Sequence, residues 1–206
     1  MEYTADYIIP MDYLKFYDLE HYLFTEVRGR FARFGEISPA NFYMIIVWKA
    51  NLSRARIRNK LAKRAGSFAA AVDGIARALR ASESPERRLE IMMKDWEFRL
   101  PTATAILTVL YPDEFSVYDV RVCEHFGAFR ELADRQFSET LWQDYQRYLD
   151  VVTKATPRGL SQRDKDRFLS GRSFYESVLK DLEESDEVKP EKPERKASTP
   201  QAPANP

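Results

Sequence analysis

Apolar side chains return along most of the chain at three- and four-residue intervals, the period of a helix that buries one face. Leu19, Tyr22, Leu23, Val27, Phe31 and Phe34 form one such stripe, and Gly35 is its natural stop. Ser38-Pro39 and Ser84-Pro85 each place a capping hydroxyl before a proline suited to a first helical turn. Phe42, Tyr43, Ile46 and Val47 follow the first of these, and Leu89, Ile91, Met92 and Met93 follow the second. Ser67 caps a segment with Phe68, Val72, Ile75 and Leu79 on one side. Thr102 to Leu110 reads as a small-residue apolar helix, and Val120 to Phe126 as a short one before Gly127. Long amphipathic stretches run from Ser138 to Val152 and from Ser161 to Leu182. No alternation of period two is long enough for a sheet, and Phe115 to Tyr118 reads as an extended connector. The pattern predicts an all-α bundle of about eight to nine helices without internal repeats.

Composition adds boundaries. With 206 residues, 44% of them apolar and 31% charged, the chain can build one solvated domain, placed here at residues 1–184. From Ser185 the sequence turns to proline and charge, with almost no apolar side chains, so residues 185–206 are expected to form a disordered tail. A single cysteine, Cys123, excludes a disulfide framework and a multi-cysteine zinc site, and reads as an inert core thiol. His21 and His125 lie far apart, which speaks against a histidine-based metal site, and no cofactor is expected. The longest apolar run, around Met44 to Trp48, is too short for a membrane span, and the first residues lack a secretory pattern. The expectation is a cytoplasmic protein away from membranes.

Net charge is zero, but the charges are unevenly spread. Between Glu36 and Asp73 there is no acidic residue, while Lys49, Arg54, Arg56, Arg58, Lys60, Lys63 and Arg64 fall in that window. Arg54 with Arg58, and Arg56 with Lys60, are four apart and share a continuous helical face, with Asn51, Ser53 and Asn59 among them. Such a run is usually a solvated face. In a chain of balanced charge it also fits a footprint on a phosphate backbone.

The order of motifs gives these charges a context. Trp96-Glu97-Phe98-Arg99-Leu100-Pro101 enters the alanine- and threonine-rich segment Thr102 to Leu107, a Pro112-Asp113 turn follows, and Tyr118-Asp119-Val120-Arg121-Val122 opens the next helix. This arrangement resembles the helix-hairpin-helix DNA glycosylase superfamily, in which a glycine-containing hairpin, a Thr-Ala helix and a Val-Asp motif follow one another. Tyr43, Trp48-Lys49, Arg163, Asp166 and Leu169 are similar to a small glycosylase-like branch with a Trp-Lys helix and a closing Arg-Asp helix. The resemblance is best from about residue 39 to residue 127. It implies DNA as partner and Asp119 as the carboxylate that stabilises positive charge on a sugar during N-glycosidic cleavage.

Departures from the pattern shape that expectation. Glu97 and Arg99 stand where the hairpin glycines belong, and Arg121 where a histidine follows the aspartate. Pro101 stands where bifunctional members carry a lysine, so the resemblance implies a monofunctional hydrolase without a lyase step. Backbone contacts are expected from Arg99, Thr102, Thr104, Arg121, Lys49, Arg54, Arg56, Arg58 and Lys60, and a base-stacking pocket from Trp48 and Tyr111. Trp142, with Tyr145 and Leu149, reads as core. Asp119 is also an ordinary helix N-cap, and both roles are compatible. The rival expectation is a non-catalytic module that kept the fold. It would bind nucleic acid through the basic face, or a protein through the aromatic segment Tyr13 to Phe34.

Overall fold

The computed structural model describes residues 13–186, with side chains to residue 183. The chain divides into two units, residues 1–173 and residues 174–206. Of the predicted tail, residues 187–206 lie outside the described residues.

The protein is an all-α bundle, and no strand occurs among the described residues. In order, α1 is Leu14–Tyr17, α2 Leu19–Tyr22, α3 Arg28–Phe34, α4 Pro39–Ala50, α5 Arg54–Ala65 and α6 Phe68–Ala81. Then come α7 Pro85–Glu90, α8 Leu100–Leu110, α9 Val120–Phe126, α10 Glu139–Lys154 and α11 Gln162–Asp186. The second unit's described residues, 174–186, are the C-terminal part of α11. Short wide turns of π-helix at Leu23–Val27 and Ile91–Asp95 join α2 to α3 and extend α7. The helical stretch predicted from Leu19 to Phe34 is present, with a π-helical turn at its centre. Leu23 and Val27 remain in the core, and Phe24 in the wide turn packs edge-on against Trp48.

The start signals act as the sequence predicts. The side chains of Ser38, Ser67, Ser84 and Ser138 each accept the backbone N–H three residues on, capping α4, α6, α7 and α10. Ser161 does the same for Asp164 at the start of α11. Gly35, Gly66 and Gly127 end α3, α5 and α9 with positive φ.

The core forms around α8. From Ala103 to Leu110 every residue of this helix is buried. Its two buried polar side chains are satisfied within it: Thr104 Oγ1 donates to Leu100 O at 2.8 Å and Thr108 Oγ1 to Thr104 O at 2.7 Å. A helix apolar all round can thus be surrounded by others. Phe42, Ile45 and Ile46 of α4 and Phe31 of α3 join its side chains in one core cluster.

The connector from Phe115 to Asp119 lies buried without a strand partner, so its backbone groups need others. Side chains supply them. Tyr118 N–H donates to Thr104 Oγ1 at 3.0 Å. Tyr145 accepts from Ser116 N–H at 3.1 Å and donates to Ser116 O at 2.6 Å. Tyr148 donates to Val117 O at 3.1 Å. Burial pushes both tyrosine hydroxyls far above their usual range, so they stay protonated donors. Helices α8 and α10 thereby fix the segment that ends at Asp119.

Candidate functional site

Asp119 caps α9, and its Oδ1 accepts the Arg121 N–H at 3.0 Å. The rest of the carboxylate lines an open cleft of about 580 Å³. The C-terminal end of α4 contributes Trp48 and Lys49 to that cleft, the start of α8 contributes Pro101, and α11 contributes Arg163, Asp166 and Arg167. Glu20 of α2 closes the ring. Lys49 Nζ donates to Asp119 Oδ2 at 2.7 Å. Arg163 spans the cleft wall: one guanidinium nitrogen pairs with Glu20 at 2.7 Å, another with Asp166 Oδ2. Its plane lies over Phe24 at 4.6 Å and Trp48 at 5.2 Å.

The two cleft aspartates are driven apart electrostatically. Burial pushes the Asp119 carboxyl up. The Lys49 ammonium, the Arg121 N–H and the Arg121 guanidinium outweigh it and hold the group below its ordinary range. Asp166 is 4% exposed, and burial pushes it up to about 6 against the pull of Arg163 and Lys49; the charges of Asp119 and Glu20 add to the rise. One carboxylate is ionised at neutral pH, and the other sits within reach of its titration. Cleft aspartates so separated are suited to acid and base roles in one reaction.

A second groove adjoins the cleft. Lys49 and Pro101 face the first, while their neighbours Ala50 and Thr102 line the second, together with Arg56, Lys60, Trp96, Glu97 and Arg99. Helix α5 forms one bank. The guanidiniums of Arg54, Arg56 and Arg58 have only neutral partners (Asn51, Ser53 and Asn59) and no carboxylate among the described residues. Leu52, in the turn between Lys49 and Arg54, is fully exposed. The segment at residues 96–99 forms the other bank. Glu97 adopts φ 54°, the left-handed conformation that favours glycine. Its side chain lies across α5, paired with Lys60 at 2.8 Å and Arg64 at 2.9 Å, and the Lys60 hydrogen bond leads in holding its carboxyl below the usual range.

Several expected residues come together here and others do not. Asp119, Trp48, Lys49, Arg121, Arg163 and Asp166 share the cleft. Lys49, expected on the phosphate backbone, is instead the partner of Asp119. Arg99, paired with Asp134, and Thr102, with Arg56 and Lys60, lie in the adjoining groove. Thr104 is corrected: its hydroxyl is fully buried between Leu100 O and Tyr118 N–H and cannot reach a ligand. Tyr111 is corrected too. Its ring packs on Phe31 and under Arg88, its hydroxyl donates to Leu79 O, and it lines a different cleft beside Asp113 and Glu114. Asp166, named in the sequence only as part of a helix motif, is a second cleft carboxylate that no spacing rule had paired with Asp119. Trp142 packs with Tyr145, as expected for core, and Cys123 is buried.

Among the described residues no helix is long and apolar enough to cross a membrane, and no group of three or more metal-ligating side chains occurs. No family model, no curated protein and no solved structure matches the chain.

Proposed function

We propose that the protein acts on DNA as a monofunctional N-glycosylase, releasing a modified or mismatched base by hydrolysis. One observation carries the reading: a carboxylate kept ionised by Lys49 in an open cleft, beside a groove banked by acid-free α5. Breaking an N-glycosidic bond builds positive charge on the sugar, and an ionised carboxylate next to that carbon lowers the barrier and orients water. The cleft has the volume of a small-molecule site, enough for an extruded nucleoside, with Trp48 and the Arg163 plane offering stacking surface. Arg54, Arg56 and Arg58 are free to meet phosphates.

In this reading Lys49 positions and charges the carboxylate and is no Schiff-base nucleophile, so chemistry ends at the abasic site. Duplexes with a panel of base lesions, incubated with the protein and then treated with alkali, test the proposal. Breaks at one lesion type are expected, falling at least 100-fold in Asp119→Asn. Absence of breaks across the panel, or full activity in Asp119→Asn, rejects it.

A second reading, a binding module without catalysis, is favoured by Glu97, which occupies Lys60 and Arg64 on the groove's edge. It predicts salt-dependent duplex binding with no base release.

A further inference from the structure

Asp166 is left without a role by the reading above, which needs only Asp119. Its surroundings are unusual for a carboxyl that merely anchors an arginine. It is 4% exposed yet lines the open cleft. Only Oδ2 is engaged, by Arg163. The other oxygen is left to the cleft that Asp166 lines, where it can carry a proton or meet a ligand.

The charged and titratable groups around it come from every wall. Arg163 is on its own helix, Lys49 on α4, Glu20 on α2, Asp119 ahead of α9, and Tyr145 and Tyr148 on α10. Lys49 and Arg163 hold the two aspartates in different company: Lys49 bonds Asp119, and Arg163 bonds Asp166. One cleft therefore presents a carboxylate bound to an ammonium and a second carboxyl with one oxygen to spare.

We propose that Asp166 protonates the departing base while Asp119 faces the sugar, so that the site is built for neutral bases rather than for cationic, N-alkylated ones. This rests on the glycosylase reading and names its substrate class. The steps balance. The Asp166 Oδ1 proton passes to a ring nitrogen of the base as the bond from C1′ to the base nitrogen breaks, its electron pair leaving with the base. Water adds to C1′ and gives its proton to Asp119 or to solvent, and Asp166 regains a proton from solvent. A cationic base such as 7-methylguanine already carries the charge that protonation would supply, and needs no acid.

The test compares wild type, Asp166→Asn and Asp119→Asn in single-turnover base release. The substrates are duplexes carrying uracil, hypoxanthine, 8-oxoguanine or 7-methylguanine, assayed from pH 5 to 9. Asp166→Asn should slow release of the neutral base at least 100-fold while changing 7-methylguanine release less than 3-fold. Wild type should lose activity on the neutral base above about pH 6, and Asp166→Asn should lack that limb. Asp166→Glu, which restores an acid, should recover part of the neutral-base rate, and thermal melting of each variant controls for folding. Equal losses on both substrate types, no loss on either, an unaltered pH limb, or a wild type that releases only 7-methylguanine overturns the role of Asp166 and leaves the glycosylase reading standing. A wild type that releases no base from any duplex overturns both.

Discussion

Lys49 is the residue on which the state of Asp119 depends. The Asp119 side chain is 11% exposed and that of Lys49 24%, so the pair is largely shielded from water and salt. Removing one partner of such a pair leaves an uncompensated charge in a poorly solvated place. Lys49→Met should destabilise the fold by about 3 kcal/mol, measured by urea unfolding at pH 7. It should also raise the pH at which Asp119 ionises, moving the acid limb of base release upward. Lys49→Arg keeps the charge and should keep the limb. An unshifted limb in Lys49→Met would show that the Arg121 contacts alone hold Asp119 ionised. The amine lines the same cleft as Pro101, so a charge partner and a nucleophile are two different readings of it. As a charge partner it stays bound to Asp119 and forms no adduct with an abasic site under borohydride.

Among elements, α5 and the segment at residues 96–99 set the charge of the groove. Glu97 holds a left-handed backbone that favours glycine, while its carboxylate ties down Lys60 and Arg64. Replacing it by glutamine leaves the backbone alone and frees two cations. Glu97→Gln should tighten duplex binding severalfold and steepen the salt dependence of log K by about 1 to 2, read by fluorescence anisotropy from 50 to 200 mM salt. An unchanged slope would mean the groove is not where DNA lies. The helices themselves were legible in the sequence because a cap is local: a serine meets an amide three residues away whatever the fold. The basic face of α5 was legible for the same reason. The partner of Asp119 was not, since Lys49 lies 70 residues earlier and only tertiary packing joins them. Thr104 was misread because a threonine on a DNA-facing helix and one that completes a buried connector are the same letter. Burial on all sides of α8 separates them. Tyr111, at the far end of α8 from Pro101, was misread for want of direction: an aromatic residue near a motif does not say which cleft it faces.

At the scale of the whole molecule, the cleft is held at some cost to the fold, and pH exposes that cost. Asp119, held low when folded, adds stability that is present above about pH 4 and is lost as pH falls through its folded value. Asp166 acts in the opposite sense. Its folded value of about 6 lies above the value near 4 of an unfolded aspartate, so the folded state binds the proton more tightly. That stabilisation is complete below about pH 4 and disappears as pH rises through about 6. Between pH 4.5 and 7 the wild type should lose about 2 kcal/mol relative to Asp166→Asn, measured by urea unfolding of both across that range. Parallel pH profiles would place Asp166 among ordinary ionised carboxylates and remove the basis for a proton donor there. A residue that weakens the fold at neutral pH persists most readily where the site needs it. Arg163 does not require Asp166 for pairing, because Glu20 already holds it at 2.7 Å. The stability experiment and the neutral-base assay thus examine one claim from two sides: a carboxyl retained in a dry corner of an arginine-lined cleft for the proton it can deliver.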